Sequence, residues 1–184
     1  MSDYVLTKWM ESGKCASLKS LDVDASDNLT EEMLQKFIEK YGEQLEGLGC
    51  SGMGHVTDTL WNAVLHRLTN ARILVMGTSE SITTKIHVDH MIDSLAKFCP
   101  KLERLEFRWD NDTLRFSDKN QKAIDLLRTR CLALKSLVLC DGRLYEIMKG
   151  NFERADRRSV IRTTANSRVT LHYLVQNFDE LLFG

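Results

Sequence analysis

One short hydrophobic pattern returns five times along the 184 residues and constrains the fold more than any other feature. The pattern is an apolar residue, two residues of any type, an apolar residue, one residue of any type and a final apolar residue. Its copies occupy residues 18–23, 45–50, 71–76, 102–107 and 134–139, so successive copies begin 26 to 32 residues apart. A period of this size is typical of chains that stack one supersecondary unit repeatedly.

The copies are predicted to be strands, because turn-forming residues follow them at once. These turn segments are residues 51–54, 77–79, 110–112 and 141–142. Such residues would end a helix immediately after it began. The second copy also contains Gly47 and Gly49, each of which would cost a helix about 1 kcal/mol relative to alanine. Because apolar residues three apart also suit a helix, an all-helical solenoid is the alternative architecture.

Helical patterns lie between the predicted strands. Apolar residues recur at helical spacing in four groups: Met33, Leu34, Phe37, Ile38 and Tyr41; Leu60, Trp61, Val64, Leu65 and Leu68; Val88, Met91, Ile92, Leu95 and Phe98; and Ala123, Ile124, Leu127 and Cys131. Thr57 and Asp58 stand at the expected N-cap of the second helix, and the fourth is predicted to start near Ser117. Residues 4–10 are interpreted as the tail of an earlier helix.

A unit of one strand, one turn, one helix and a return loop is the larger form of the leucine-rich repeat. We therefore predict an α/β fold, a leucine-rich-repeat solenoid that forms a right-handed β-α horseshoe. Short parallel strands line its concave face and helices its convex face. Residues 1–184 are predicted to form a single domain, with repeats over about 14–141 and a divergent C-terminal repeat or cap over 142–184.

Composition and charge argue against nucleic-acid-binding, lipid-binding and membrane-spanning proteins. Hydrophobic residues make up 43% and charged residues 28% of the chain, as in ordinary globular proteins. A net charge of -1 gives no overall attraction to nucleic acid or anionic lipid, so neither partner is expected. Apolar runs such as residues 73–76 are far shorter than the about 20 residues that a membrane helix needs. The N-terminus has no apolar stretch of secretory length, so a cytoplasmic or nuclear location is expected.

The five cysteines include no C-x-x-C pair, so neither a disulfide framework nor a zinc site is predicted. Cys15, Cys99 and Cys131 each stand three residues before the first leucine of a repeat. A small buried thiol at one point of every unit suits the place where a helix returns to a strand and neighbouring units pack closely. Cys50 and Cys140 end or follow strands and are interpreted as structural.

The segments 14–21, 98–107 and 130–140 combine this cysteine with the leucine pattern, and they resemble the cysteine-containing repeats of F-box/leucine-rich-repeat proteins. Residues 56–60 are similar to that family's turn-to-helix element. The resemblance implies that the repeats hold a substrate protein for ubiquitin transfer, while a separate N-terminal F-box docks the cullin ligase. An F-box usually opens with Leu-Pro, whereas the single proline is Pro100. We therefore expect a fragment or shortened isoform, which reaches a ligase adaptor only through an upstream F-box.

The concave face is the predicted binding site. Alternation along each strand turns the pattern's leucines inward and the residues between them outward. The predicted partner-binding residues are Asp22, Asp24, Ile73, Val75, Arg104, Glu106, Arg108 and Val138. Ile73 and Val75 are expected to be exposed as an apolar anchor within a charged rim, as in protein interfaces. The alternative is that a loop or further units cover them.

An enzyme is not predicted, and no catalytic residue, cofactor or metal is assigned. His87 and His90 have a spacing that metal ligands use, but no second ligand pair accompanies them. No glycine-rich phosphate-binding motif is present. The basic segment 142–168 is interpreted as a solvated helix face rather than a patch for an acidic protein or nucleic acid. Residues 169–174 are interpreted as a last strand, with Phe178, Leu181, Leu182 and Phe183 covering the end of the core.

Three functional hypotheses follow, of which the third, from another class, is an enzyme built around the histidines or thiols. The first is a protein-interaction module, the substrate-recognition part of an F-box-type cullin ubiquitin ligase receptor. The second is a leucine-rich-repeat scaffold or regulator unrelated to ubiquitination.

Overall fold

The computed structural model describes residues 1–78, 82–117, 121–152 and 159–163. The helices are α1 (Asp3–Glu11), α2 (Glu31–Tyr41), α3 (Asp58–Val64), α4 (Val88–Phe98), α5 (Gln121–Arg130) and α6 (Arg143–Phe152). The strands are β1 (Ser20–Asp22), β2 (Gly47–Ser51), β3 (Ile73–Gly77), β4 (Ile86–His87), β5 (Arg104–Phe107), β6 (Leu114–Arg115), β7 (Ser136–Cys140) and β8 (Ser159–Thr163). Within these ranges, no helix is long and apolar enough to cross a membrane.

The fold is α/β, and its main sheet is parallel. Six strands follow one another in the order β1-β2-β3-β5-β7-β8, while β4 and β6 form a separate pair. The strand register joins one residue of each main strand into a ladder: Leu21, Leu48, Leu74, Leu105, Leu137 and Val160. The five leucines are those of the repeated pattern, so the predicted strand positions are confirmed.

The helices pack on the leucine side of the sheet in one hydrophobic core. Phe37, Trp61, Ile92 and Leu127 of α2 to α5 are all fully buried in it. The Thr57 side chain accepts a hydrogen bond from the backbone of Thr59, which confirms the predicted N-cap. The described part of α5 begins at Gln121, four residues after Ser117, near which the fourth helix was predicted to start. The Ser117 backbone N–H donates to Asp89 Oδ2 at 3.1 Å.

The C-terminal part of the sheet was not predicted. β8 pairs in parallel with β7, yet Ser159–Thr163 carries no leucine pattern that would reveal a strand. α6 buries Leu144, Tyr145, Met148 and Phe152. The interpreted strand over 169–174 and its four covering residues lie outside the described residues.

The repeated cysteines join neighbouring units. Cys15, Cys99 and Cys131 are all buried. The Cys131 thiol donates to the Cys99 carbonyl at 3.2 Å, and the Cys99 thiol lies 3.8 Å from the Leu65 carbonyl. Burial, followed by the neighbouring Cys131, raises the pKa of Cys99 to about 12. The Cys99 thiol therefore stays protonated at neutral pH, which fits the predicted structural role.

A second ladder, which no sequence pattern above predicted, links the starts of the helices. A carboxylate in the first turn of each of α1 to α4 accepts a backbone N–H of the next unit, 27 to 29 residues along the chain. The pairs are Asp3 with Thr30, Glu31 with Leu60, Asp58 with His87, and Asp89 with Ser117. Each carboxylate also stands where the helix dipole favours negative charge.

Gly77, the last residue of β3, allows the turn that follows this strand. Its φ is +103°, a region that residues with a Cβ avoid, and a Cβ there would lie 2.7 Å from the backbone nitrogen of Trp109. The glycine therefore lets the turn after β3 pass close to the chain that leaves β5.

Candidate partner-binding face

The predicted partner-binding residues lie on the sheet face opposite the leucine ladder, here called the second sheet face. It comprises Asp22, Asp24, Ile73, Val75, Arg104, Glu106, Arg108 and Val138. The register places Asp22, Gly49, Val75, Glu106 and Val138 in one row across the sheet. Ile73, Val75 and Val138 are buried without belonging to the hydrophobic core cluster, which agrees with their position on the other side of the strands.

An ion network occupies the middle of the second sheet face. Arg104 Nε donates to Glu106 Oε1 at 2.8 Å, and Arg108 Nη2 donates to Glu106 Oε2 at 2.6 Å. Arg104 Nη1 also donates to Ser136 Oγ at 3.1 Å. Glu106 is fully buried, and both arginines are at most 9% exposed. Because a lone buried charge is unfavourable, the two guanidinium groups and the carboxylate depend on one another.

The β1 end of this face holds a second polar contact. The Asp24 carboxylate accepts the backbone N–H of Ser51 at 2.7 Å and its hydroxyl at 2.6 Å. Burial raises the pKa of Asp24 above its ordinary value, although the Ser51 hydrogen bonds oppose this. The Asp24 carboxylate therefore links the chain just after β1 to the end of β2.

The expected exposure of Ile73 and Val75 is wrong. Ile73 is 3% exposed and Val75 is 2% exposed, and Val138 is covered to the same degree at 3%. These values are those of the chain by itself, so its own atoms cover these three side chains. Of the eight predicted residues, Asp22 is exposed and Asp24 is half-buried.

Two glycines stand beside these aliphatic residues in the sheet. Gly47 pairs with Ile73 and Gly49 pairs with Val75, so β2 adds no side chain beside either residue on this face.

The histidines take a structural position. His87 stands at the start of α4, where its backbone N–H donates to Asp58 Oδ2 at 2.9 Å and its Nδ1 lies 3.2 Å from the same oxygen. Among the residues that the structure describes, no group of three His, Cys, Asp or Glu side chains is placed to hold a metal. His87 therefore belongs to the carboxylate ladder.

A cleft of about 470 Å³ lies beside β6 and the start of α6, lined by Lys85, Asn111, Asp112, Leu114, Arg115, Phe116, Arg143 and Leu144. Lys85 donates to the Asp112 carbonyl at 2.9 Å, and Arg115 donates to the Leu114 carbonyl at 3.3 Å. These two cations therefore hold backbone carbonyls of the surrounding loops.

Comparison with known proteins shows the fold. No family model matches the chain, and no curated protein matches it. Among solved structures, the chain is similar to leiomodin-1 actin-binding site 2, with a TM-score of 0.56 and 13% sequence identity. The match covers 80% of this chain and 88% of the other. The neighbour has a leucine-rich-repeat-like fold, with which the parallel sheet and helices of this chain are compatible.

Proposed function

We propose that this chain is a leucine-rich-repeat solenoid that acts as a protein-protein interaction module. The observation that most supports this proposal is that the strand register aligns the residues between the leucines into rows across one sheet face. Equivalent positions of successive units then form one broad surface, which is how repeat proteins recognise partners. The structural neighbour is named for binding actin, which supports a protein as the partner class.

The accessible part of this surface is its β1 end. Asp22 is exposed there, whereas Ile73 and Val75 are covered in the unbound chain. We therefore place the first contact with the partner at Asp22.

A charge reversal at Asp22 tests this proposal. We expect Asp22→Lys to lower recovery of a specific partner at least fivefold in affinity purification from cell extract followed by quantitative mass spectrometry. Glu32→Lys on α2 is the matched control, because it also replaces an exposed carboxylate by lysine. Co-sedimentation with filamentous actin tests one named candidate directly. Recovery of every partner at the same level from Asp22→Lys and Glu32→Lys would contradict binding at this face.

Ubiquitin ligase recognition is our proposal for the biological context, supported by the cysteine-containing repeats at 98–107 and 130–140. The alternative is a scaffold unrelated to ubiquitination. The 184-residue chain contains no Leu-Pro motif. When overexpressed in cells, this chain should therefore bind a ligase substrate without delivering it to the ligase. The half-life of that substrate in a cycloheximide chase should then increase. An unchanged half-life of an Asp22-dependent partner would favour the scaffold.

A further inference from the structure

The small sheet formed by β4 and β6 has an open edge. The two strands pair in parallel, and each lies in the connection that leads from a main strand to the next helix. In the part of the chain that the structure describes, no third strand pairs with them, so β6 has a neighbour on its β4 side alone. The free edge of a strand offers backbone N–H and C=O groups to any extended chain that lies beside it.

The next unit of the array explains why this edge is open. Only Asp141 and Gly142 separate β7 from α6, so this connection is too short to contain a strand equivalent to β4 or β6. A Cβ at Gly142 would lie 2.5 Å from Asn111 Oδ1, and the same oxygen accepts the Arg143 backbone N–H at 2.9 Å. The short connection therefore holds the start of α6 against the loop before β6 and adds no strand to the small sheet.

The cleft of about 470 Å³ lies between β6 and the start of α6. Both residues of β6, the following Phe116 and the first two residues of α6 contribute to its lining. Leu114 and Phe116 are partly buried against the hydrophobic core, so they give the cleft an apolar surface. The space beside the open edge of β6 is therefore accessible, and it has apolar side chains on which a bound chain can pack.

The charged side chains that line this cleft are mostly cationic. They are Lys85, Arg115 and Arg143 against the single carboxylate of Asp112, and all four residues are exposed. Lys85 uses one N–H on the Asp112 carbonyl, and Arg115 uses one on the Leu114 carbonyl. An ammonium group has three donors and a guanidinium group has five, so both side chains keep N–H groups for a ligand. The excess of positive charge favours an acidic ligand.

We propose that an extended acidic segment of a protein partner binds in this cleft as a third strand beside β6. This inference rests on the proposed function and gives the chemical class of the partner segment. Backbone groups of the segment pair with the open edge of β6, its carboxylates pair with Lys85 and Arg115, and its apolar side chains pack on Leu114 and Phe116. In strand addition, main-chain hydrogen bonds give affinity and alternate side chains give specificity.

Selection from a phage-displayed library of random octapeptides on the purified chain tests the proposal. The selected peptides should be rich in aspartate and glutamate. By fluorescence anisotropy, a fluorescein-labelled selected peptide should bind Arg115→Glu and Lys85→Glu about tenfold more weakly than the wild type. Arg130→Glu is the matched control, because Arg130 is an exposed arginine at the last position of α5, outside the cleft lining. No selection of acidic peptides, or equal binding by Arg115→Glu and Arg130→Glu, overturns the proposal.

N-methylation of the same peptide separates strand addition from attraction between charges. Alternate residues of a strand direct their N–H groups to the same side. Methylation of one alternate set of peptide nitrogens should therefore abolish binding, and methylation of the other set should leave it within about twofold. Equal effects of the two sets would show that the peptide does not bind as a strand.

Affinity purification from cell extract distinguishes this inference from the proposed function. Arg115→Glu should lose the partner that Asp22→Lys also loses, whereas Arg130→Glu should retain it. If Asp22→Lys loses the partner and Arg115→Glu retains it, the interaction module stands and the site beside β6 is wrong.

Discussion

The two faces of the main sheet are both buried, but by different interactions. Leu105 and Glu106 are neighbours in β5, and each is fully buried. Leu105 lies in a ladder of leucines covered by helices, whereas Glu106 lies between two arginines on the second sheet face. Burial on the first face follows from the hydrophobic effect, which needs no particular partner. Burial on the second face requires partners in correct geometry, so single substitutions there should be less tolerated.

The largest effect is expected where one charge of the network is removed. Glu106→Leu should lower the free energy of unfolding by about 3 to 5 kcal/mol, because Arg104 and Arg108 lose the carboxylate that both contact. Urea denaturation followed by circular dichroism measures this change. The triple variant with Arg104→Met and Arg108→Met in addition removes the buried charges altogether. It should recover at least half of the lost stability, and a triple variant weaker than Glu106→Leu would contradict the account.

Leu105→Ala tests the other face of the same strand. It should lower the free energy of unfolding by about 3 kcal/mol, since it removes a ladder side chain and leaves a cavity between strands and helices. The same urea titration applies. Leu132→Ala is the control, because that leucine is 74% exposed and its truncation should change stability by less than about 0.5 kcal/mol. Similar losses at both leucines would contradict the assignment of Leu105 to the core.

The sequence could predict the leucine face and the residues of the second face, but not what covers that face. Because side chains alternate between the two faces of a strand, Arg104, Glu106 and Arg108 were correctly predicted to lie on one face. Charged side chains are usually exposed, and nothing local showed that this set is buried. β8 could not be predicted, because Ser159–Thr163 lacks the repeated pattern from which the other strands were recognised.

The positions of the carboxylates in the ladder could be read from the sequence, but their role could not. Asp3, Glu31, Asp58 and Asp89 each occupy the first turn of a helix, at a period close to that of the leucines. First-turn acids are common for reasons of the helix dipole alone, so their second role was not apparent. That role depends on the distance between neighbouring helices, which a single sequence does not contain.

Asp58→Ala should have a smaller effect than either sheet substitution. It removes the carboxylate that accepts the His87 backbone N–H, and we expect a loss of about 1 kcal/mol, as for other helix-start hydrogen bonds. Thermal unfolding by calorimetry measures it. Asp93→Ala is the control, because Asp93 is an exposed acid on α4 outside the first turn. Equal effects of the two substitutions would show that the ladder adds nothing to stability.

The smallest effect is expected at Asp24, which follows β1. It should appear as a change of the free energy of unfolding with pH. Burial raises the pKa of the Asp24 carboxyl in the folded chain above its unfolded value, so the native state binds the proton more tightly. Stability from this group therefore falls as pH rises through the window just above about 4, the ordinary carboxyl range. Asp24→Asn cannot ionise, so its stability relative to the wild type should increase between about pH 4 and pH 7 in urea titrations. Asp93→Asn makes the same substitution at an exposed position on α4 and is the control. A flat or falling difference for Asp24→Asn would mean that its hydrogen bonds to Ser51 outweigh the burial of its charge.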